Sequence, residues 1–281
     1  MSGSQSAAPV RILVDGCDET RVSALDRGLA YGDGLFETIH FDADRAPLWQ
    51  RHMARLAEGC RRLRLEAPDA ANLASECARV SAGMARAVVR ITLTRGVGAR
   101  GYAAASGITA TRIVAAFAPP ASRADWYARG MRVRLCATRL AAQPLLAGIK
   151  HLNRLEQVLA RAEWEDPAID EGLMCDHDGH VIGATAANLF AVIGGRLVTP
   201  PVDRCGVAGV MREELLARTP VVVRNIDREE LHEAEEVFLT NALRGIVPVT
   251  QLDDRRWPIG VRARQLAALV RDMSPGPGVG A

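Results

Sequence analysis

One side chain stands apart by type: 34 arginines share this chain with a single lysine, Lys150. A guanidinium stays protonated under ordinary conditions, whereas an ε-amine can lose its proton and add to a carbonyl carbon as a nucleophile. Where arginine serves as the general-purpose cation, the one retained primary amine is a candidate for Schiff-base chemistry. The bland alternative is a surface lysine left over in a chain biased toward arginine. Lys150 follows Gly148-Ile149 and precedes a helix expected from about Asn153. A helix N-terminus, or burial, would each favour the neutral, reactive amine.

Other groupings also carry chemical side chains. Arg95-Gly96-Val97-Gly98-Ala99-Arg100-Gly101-Tyr102 sets guanidinium and phenol groups on a glycine-rich loop, suited to gripping carboxylates. Its GxGxR pattern follows a strand but opens no clear helix, so a nucleotide loop is rejected. Arg90, on the strand before it, could meet a second carboxylate. For Arg90 and Arg95 a structural or exposed arginine is an equal reading. Asp176-His177-Asp178-Gly179-His180 could pass for a metal cluster, but it is rich in turn formers and nothing at metal-site spacing completes it. It reads as a hairpin turn, and no metal is expected.

The elements that must position these residues follow from periodicity. Strands are expected at Arg11–Val14, Ala87–Thr94, Arg112–Phe117 and Met131–Ala137. Met53, Leu56, Cys60 and Leu63 mark a helix over Arg51–Leu65, and Pro68-Asp69 opens another to about Met84. The glycines at 28, 32 and 34 predict tight backbone, not helix. Residues 138–149 read as a linker between an N-terminal domain, 1–137, and a C-terminal domain, 150–281. The latter starts with a helix over Asn153–Glu165 whose stripe is Leu155, Val158 and Leu159. Hairpins follow near 172–181 and 189–199, then helices near 209–218, 227–234 and 261–273. The mixture lacks a regular βαβ repeat and predicts an α+β fold in two halves.

Composition bounds the rest. A net charge of +2, with no long basic run, gives no argument for nucleic acid, and 4% aromatic residues make single-strand stacking platforms unlikely. No apolar run is long enough for a membrane span, and the six cysteines form no CxxC pair, so a cytoplasmic chain with reduced thiols is expected. The ends, 1–9 and 274–281, read as flexible tails.

The segment AGIKHLNRLEQVL resembles the lysine segment of aminodeoxychorismate lyases, a branch of the fold-type IV pyridoxal-phosphate family. That family also holds the branched-chain and D-amino-acid aminotransferases. Further blocks occur in the family's order: DRGLAYGDGLFET at 26–38, RHMARL at 51–56, TRGVGARGY at 94–102, ATAANLF at 184–190, GVAGVMRE at 206–213 and EVFLTNAL at 236–243. The likeness extends from about Val10 to Trp257. It implies the two-domain fold-type IV architecture, pyridoxal 5′-phosphate as cofactor, and a homodimer. It also implies conversion of 4-amino-4-deoxychorismate to 4-aminobenzoate and pyruvate, in folate synthesis.

Carried over residue by residue, Lys150 resembles the catalytic lysine that holds the cofactor covalently. Arg55 matches the phosphate-binding arginine, and the backbone N–H groups of Val210 and Met211 match the helix start that also holds phosphate. Asn241-Ala242 matches a second phosphate-side loop. Thr38, Arg90, Arg100 and Tyr102 fall at substrate-side positions. One departure is plain: the glutamate that pairs with the cofactor's pyridine nitrogen in most of the family aligns with Gly183. It keeps alive two further readings, a transaminase of the same fold and a non-catalytic cofactor-binding relative.

Overall fold

The computed structural model describes residues 9–119 and 124–273; the expected tails, apart from Pro9, lie outside them. The chain forms two compact units, Met1–Ala121 with Lys150–Asn153, and Ser122–Ile149 with Arg154–Ala281.

The first unit contains β1 (Arg11–Val14), α1 (Arg27–Tyr31), β2 (Gly34–Asp42), α2 (Trp49–Leu63), α3 (Ala70–Ser81), β3 (Arg86–Thr94) and β4 (Thr111–Phe117). Its four strands form an antiparallel sheet in the order β1-β4-β3-β2. Asp69 caps α3 by accepting the Asn72 N–H, and Leu73, Cys77 and Val80 fall on its buried stripe. On α2 the buried stripe is His52, Leu56, Gly59 and Cys60. Gly59 leaves room for Leu35 of β2, whose methyl carbons lie 2.8 Å from where a Cβ would stand.

The glycine-rich segment departs from expectation, because it does contain a helix. Asp26 accepts the Gly28 N–H at 2.7 Å, and Gly32 ends the turn in the left-handed region at φ 66°. Two caps hold a five-residue helix that composition alone would not form.

The second unit contains α4 (Ala124–Arg129), β5 (Met131–Leu135), α5 (Leu155–Arg161), β6 (Glu171–Cys175), β7 (Val181–Ala184), β8 (Asn188–Ile193) and β9 (Arg196–Thr199). It continues with α6 (Val210–Arg218), β10 (Val222–Val223), α7 (Arg228–Glu233), β11 (Glu236–Asn241), β12 (Gly245–Leu252), β13 (Arg255–Arg256) and α8 (Val261–Leu269). The main strand order is β10-β9-β8-β11-β12-β5-β6-β7, and β7 also pairs with β8 through Gly183 and Asn188. Six strands therefore close into a ring. Met131, Val133, Leu173, Leu189, Val237, Leu239, Val247 and Val249 fill one core of this unit.

Three expectations change here. Met131–Leu135, assigned from sequence to the first domain, pairs with β12 and β6 inside the second unit, and residues 138–149 belong to that unit too. Lys150–Asn153, assigned to the C-terminal domain, belongs to the first unit. Periodicity locates strands but says nothing about long-range partners, so it could not place either segment. The third change is β12, which the sequence hides because Pro248 lies within it. Pro248 stands opposite Phe238 of β11, and the pairing with β5 begins only at Val249.

Candidate active site

Lys150 is placed by strand pairing, not by a helix end. Helix α5 begins only at Leu155. Phe36 donates its N–H to the Lys150 carbonyl at 2.9 Å, and Leu152 donates to Gly34 at 3.0 Å. Leu35 and His151 form the antiparallel bridge between them. Residues 150–152 thus extend the edge of the sheet beside β2. Gly32 makes this possible, because a Cβ there would lie 2.3 Å from the Asn153 Oδ1 atom.

Side chains alternate along β2, and the two faces carry different chemistry. Phe36 and Thr38 share one face. The Lys150 Nζ lies 4.3 Å from the Phe36 ring centroid, and the Arg90 guanidinium lies 4.3 Å from the same centroid. Arg90 stands directly opposite Thr38 in the register and donates to Thr92 at 3.3 Å. Burial pulls the Arg90 pKa below its ordinary value. Lys150, Thr38 and Arg90, three of the residues singled out in the sequence, therefore meet around Phe36.

The other face of β2 meets α2. Glu37 is 1% exposed, and its carboxylate takes Arg55 Nε at 2.8 Å and Nη2 at 2.5 Å, and His52 Nδ1 at 2.7 Å. Burial alone would raise the Glu37 carboxyl. The Arg55 charge and the hydrogen bonds from Arg55 and His52 outweigh it and hold the group down to about 2. His52 is pushed the other way, below its ordinary value, chiefly by burial. A neutral His52 facing a carboxylate must carry its proton on Nδ1. The pairing is readable in retrospect: an acid among the inward residues Leu35, Glu37 and Ile39 needs a cation, and His52 and Arg55, three apart on α2, share the face that supplies it.

Arg95 proves structural. It grips Asp33 with Nε at 2.7 Å and Nη2 at 3.0 Å, and it donates to the carbonyls of Leu63 and Arg64. Arg100 and Tyr102 lie on the loop that follows and are exposed, Tyr102 at 89%. The structure does not bring these two side chains to the Phe36 cluster among the contacts of the first unit.

In the second unit, Val210 and Met211 are buried at the start of α6, whose cap residue Gly209 provides no side-chain hydrogen bond. A Cβ at Gly209 would lie 2.0 Å from the Asn188 Oδ1 atom, so the backbone approaches closely here. Asn188 stands opposite Thr240, whose hydroxyl is buried without a hydrogen-bond partner among the described residues. An uncapped helix start, a glycine cradle and an orphaned hydroxyl suit a phosphate group. Thr240 was not anticipated from the sequence. Asn241 proves to be a turn-former: its Oδ1 accepts the N–H groups of Leu243 and Arg244, and its Nδ2 donates to Ala186. The Asn241 side chain is thus occupied in shaping the turn around Ala242.

Gly183 pairs with Met174 of β6 and Asn188 of β8. The nearest buried acid in the pairing strand, Glu171, accepts from Thr185 and takes Arg244 at 3.1 Å. Glu171 shares the Leu173 face of β6, whereas Gly183 lies opposite Met174, so Glu171 does not replace the missing glutamate. Asp176, Asp178 and His180 do gather their ligand atoms within 4.8 Å, closer than the sequence reading allowed. They serve the hairpin nonetheless: Asp176 accepts the His180 N–H at 2.9 Å, and Asp178 pairs with Arg204 at 2.7 Å.

The Amino-transferase class IV family model matches residues 34–252. An aminodeoxychorismate lyase of Vibrio harveyi is 35% identical over 90% of this chain and 97% of that relative. A putative branched-chain-amino-acid aminotransferase of Methanocaldococcus jannaschii is 30% identical over 84% of each. Among solved structures, a 4-amino-4-deoxychorismate lyase from Pseudomonas aeruginosa superimposes with a TM-score of 0.89 at 47% identity, covering 93% of this chain and 98% of that one. A branched-chain amino acid aminotransferase of Escherichia coli superimposes with a TM-score of 0.84 at 22% identity, which shows the common fold-type IV architecture.

Proposed function

The chain belongs to the class IV aminotransferase family, and on that premise we propose that it is a pyridoxal-phosphate-dependent aminodeoxychorismate lyase. It converts 4-amino-4-deoxychorismate to 4-aminobenzoate and pyruvate. The observation that carries this reading is the seat of Lys150, the sole primary side-chain amine, against Phe36 beside Arg90.

When bound, pyridoxal phosphate supplies an aldehyde carbon for the substrate amine and a ring that withdraws electrons from the carbon bearing it. Two groups of residues are each, taken by itself, a candidate for its phosphate: Arg55, oriented by Glu37, and the N–H groups of Val210 and Met211 with the Thr240 hydroxyl and the backbone at Ala242. Lys150 would hold the cofactor through Nζ, and as a free amine Nζ would accept the proton from ring C4 of the substrate. The bond from the ring to the enolpyruvyl oxygen then breaks, and Lys150 returns a proton to the methylene carbon to give pyruvate. Arg90, Arg100, Tyr102 and Thr38 are the candidates for holding the two substrate carboxylates.

Gly183 bears on the competing transaminase reading. A transaminase needs a strongly electron-withdrawing ring through a whole half-reaction. Elimination that ends in an aromatic product asks less of the pyridine nitrogen, so the absent glutamate favours the lyase. The decisive experiment follows 4-aminobenzoate and pyruvate release from the substrate with no oxo-acid added. Turnover is expected, and Lys150→Ala should lose both turnover and the visible absorbance of bound cofactor. A Lys150→Ala variant with full activity would overturn the assignment.

We also propose a cytoplasmic homodimer. Helix α5 presents Leu155, Val158 and Leu159, the apolar stripe expected from the sequence, outward, exposed at 75%, 59% and 61%. A second copy of the chain is the proposed cover. Leu155→Glu with Leu159→Glu should lower the mass measured by sedimentation from dimer to monomer. No helix among the described residues is long and apolar enough to cross a membrane.

A further inference from the structure

The loop Arg95–Tyr102 carries two candidate carboxylate-binding side chains, yet Arg100 and Tyr102 are themselves exposed. What fixes the loop is a residue outside it. Arg27 is 4% exposed, and each of its three guanidinium nitrogens donates a hydrogen bond. Nη1 donates to the Gly101 carbonyl at 2.7 Å, Nη2 to the Tyr102 carbonyl at 3.0 Å, and Nε to Asp33 at 3.0 Å. Asp33 is in turn clamped by Arg95 at the loop's other end. Burial would raise the Asp33 carboxyl, but Arg95 and Arg27 hold it below its ordinary value, so the charge that anchors both arginines is secure.

Neighbouring contacts serve the same loop. The Gly101 N–H donates to the Tyr31 hydroxyl at 3.0 Å, and the rings of Tyr31 and Tyr102 meet edge-on at 5.6 Å. Arg27 lies over the Tyr31 ring, 4.8 Å from its centroid. Gly98 leaves space for the Arg27 stem, since a Cβ there would lie 2.9 Å from its Cδ.

We propose that Arg27 is a positioning residue for substrate recognition: it anchors the loop Arg95–Tyr102 by its last two carbonyls and so holds Arg100 and Tyr102 ready for a substrate carboxylate. The proposal rests on the lyase reading for the identity of that carboxylate. A guanidinium fork spreads its donors over three nitrogens and so bridges two adjacent carbonyls and a carboxylate at once, whereas the three N–H groups of an ammonium radiate from one atom and do not span the same spacing.

The test compares Arg27→Lys, which keeps the charge, with Tyr31→Phe, which removes only the hydroxyl that accepts the Gly101 N–H and keeps the packing. Two readouts are taken on the holoenzyme: KM against kcat for aminodeoxychorismate, and the rate of trypsin cleavage after Arg100, followed by mass spectrometry. In Arg27→Lys, KM should rise about tenfold, the scale of one lost charge-assisted hydrogen bond, with kcat changed by less than about twofold. Cleavage after Arg100 should quicken in both variants, while the visible absorbance of bound cofactor stays as in the parent. Unchanged KM and unchanged cleavage in Tyr31→Phe and in a folded Arg27→Lys overturn the inference. If the parent itself releases no 4-aminobenzoate while cleavage still quickens in the variants, the anchor stands and the lyase reading falls.

Discussion

Glu37→Gln is the most informative single change that the structure offers. The substitution keeps the shape of the side chain but replaces one carboxylate oxygen by an NH₂ group. Three donors converge on that carboxylate, two from Arg55 and one from His52, in a place where Glu37 is 1% exposed. Whichever way the amide turns, at least one donor faces another donor, and the Arg55 charge loses its counter-ion. Removing one member of a buried pair costs about 3–5 kcal/mol. The same scale follows from titration: a carboxyl held at about 2 against an ordinary 4.5 contributes roughly 3 kcal/mol at neutral pH. For a chain of this size that corresponds to a fall in Tm of roughly 10 °C. The assay is thermal and urea unfolding of the apoprotein, with Arg55→Met and the double variant completing a cycle. The double variant should lose less than the two single losses combined, because it no longer leaves an unpaired charge. If Glu37→Gln melted within about 2 °C of the parent, or the cycle proved additive, the account of Arg55 orientation would be refuted.

Three other outcomes are expected. Gly209→Ala would drive a Cβ toward Asn188 Oδ1 and should weaken pyridoxal-phosphate binding at least tenfold, on the scale of a disrupted helix-start contact, as read by fluorescence titration of the apoprotein. Gly183→Glu should raise kcat if the missing acid limits the rate; its Cβ would press on the Ala187 carbonyl at 3.0 Å, so Tm should fall as well, and a gain in both would contradict this packing. Stability should decline on acidification in two stages. His52 and Glu37 both titrate below their ordinary values in the fold, so each contributes fully above its unfolded value and loses its contribution as pH falls. The decline should begin below about 6.5 with His52 and continue from about 4.5 toward 2 with Glu37, measured as urea midpoints across that range.

Much of the candidate site is legible in the sequence. Lys150 was marked by chemistry, since no other side chain supplies a primary amine. The helix starts at Asp69 and Gly209 were legible because capping is local and encoded within one turn. What stayed hidden involved partners distant in sequence. Arg55 looked like a phosphate ligand alone, and its clamp by Glu37 depends on β2 lying under α2. Arg27 was one of 34 arginines until Gly101 and Tyr102 came to rest against it. Leu155, Val158 and Leu159 have the spacing of one apolar stripe, and only the packing of α5 shows that they face outward.

The sequence by itself marked the candidate chemistry of this protein: a lone amine, a glycine-led helix start and, through the family resemblance, an arginine at the phosphate-binding position and a glycine where the family carries an acid. These are properties of residue type and of spacing within a turn or two, so they survive without a fold. The tertiary structure decided where that chemistry is exerted. It set residues 150–152 against the edge of β2, divided Phe36 from Glu37 by the alternation of one strand, and tied the loop Arg95–Tyr102 to Arg27. The first and last of those are pairings across tens of residues, and the alternation acquired its meaning only from α2 packing on the Glu37 face; burial and hydrogen-bond closure over the whole unit chose these contacts, which no local pattern specifies.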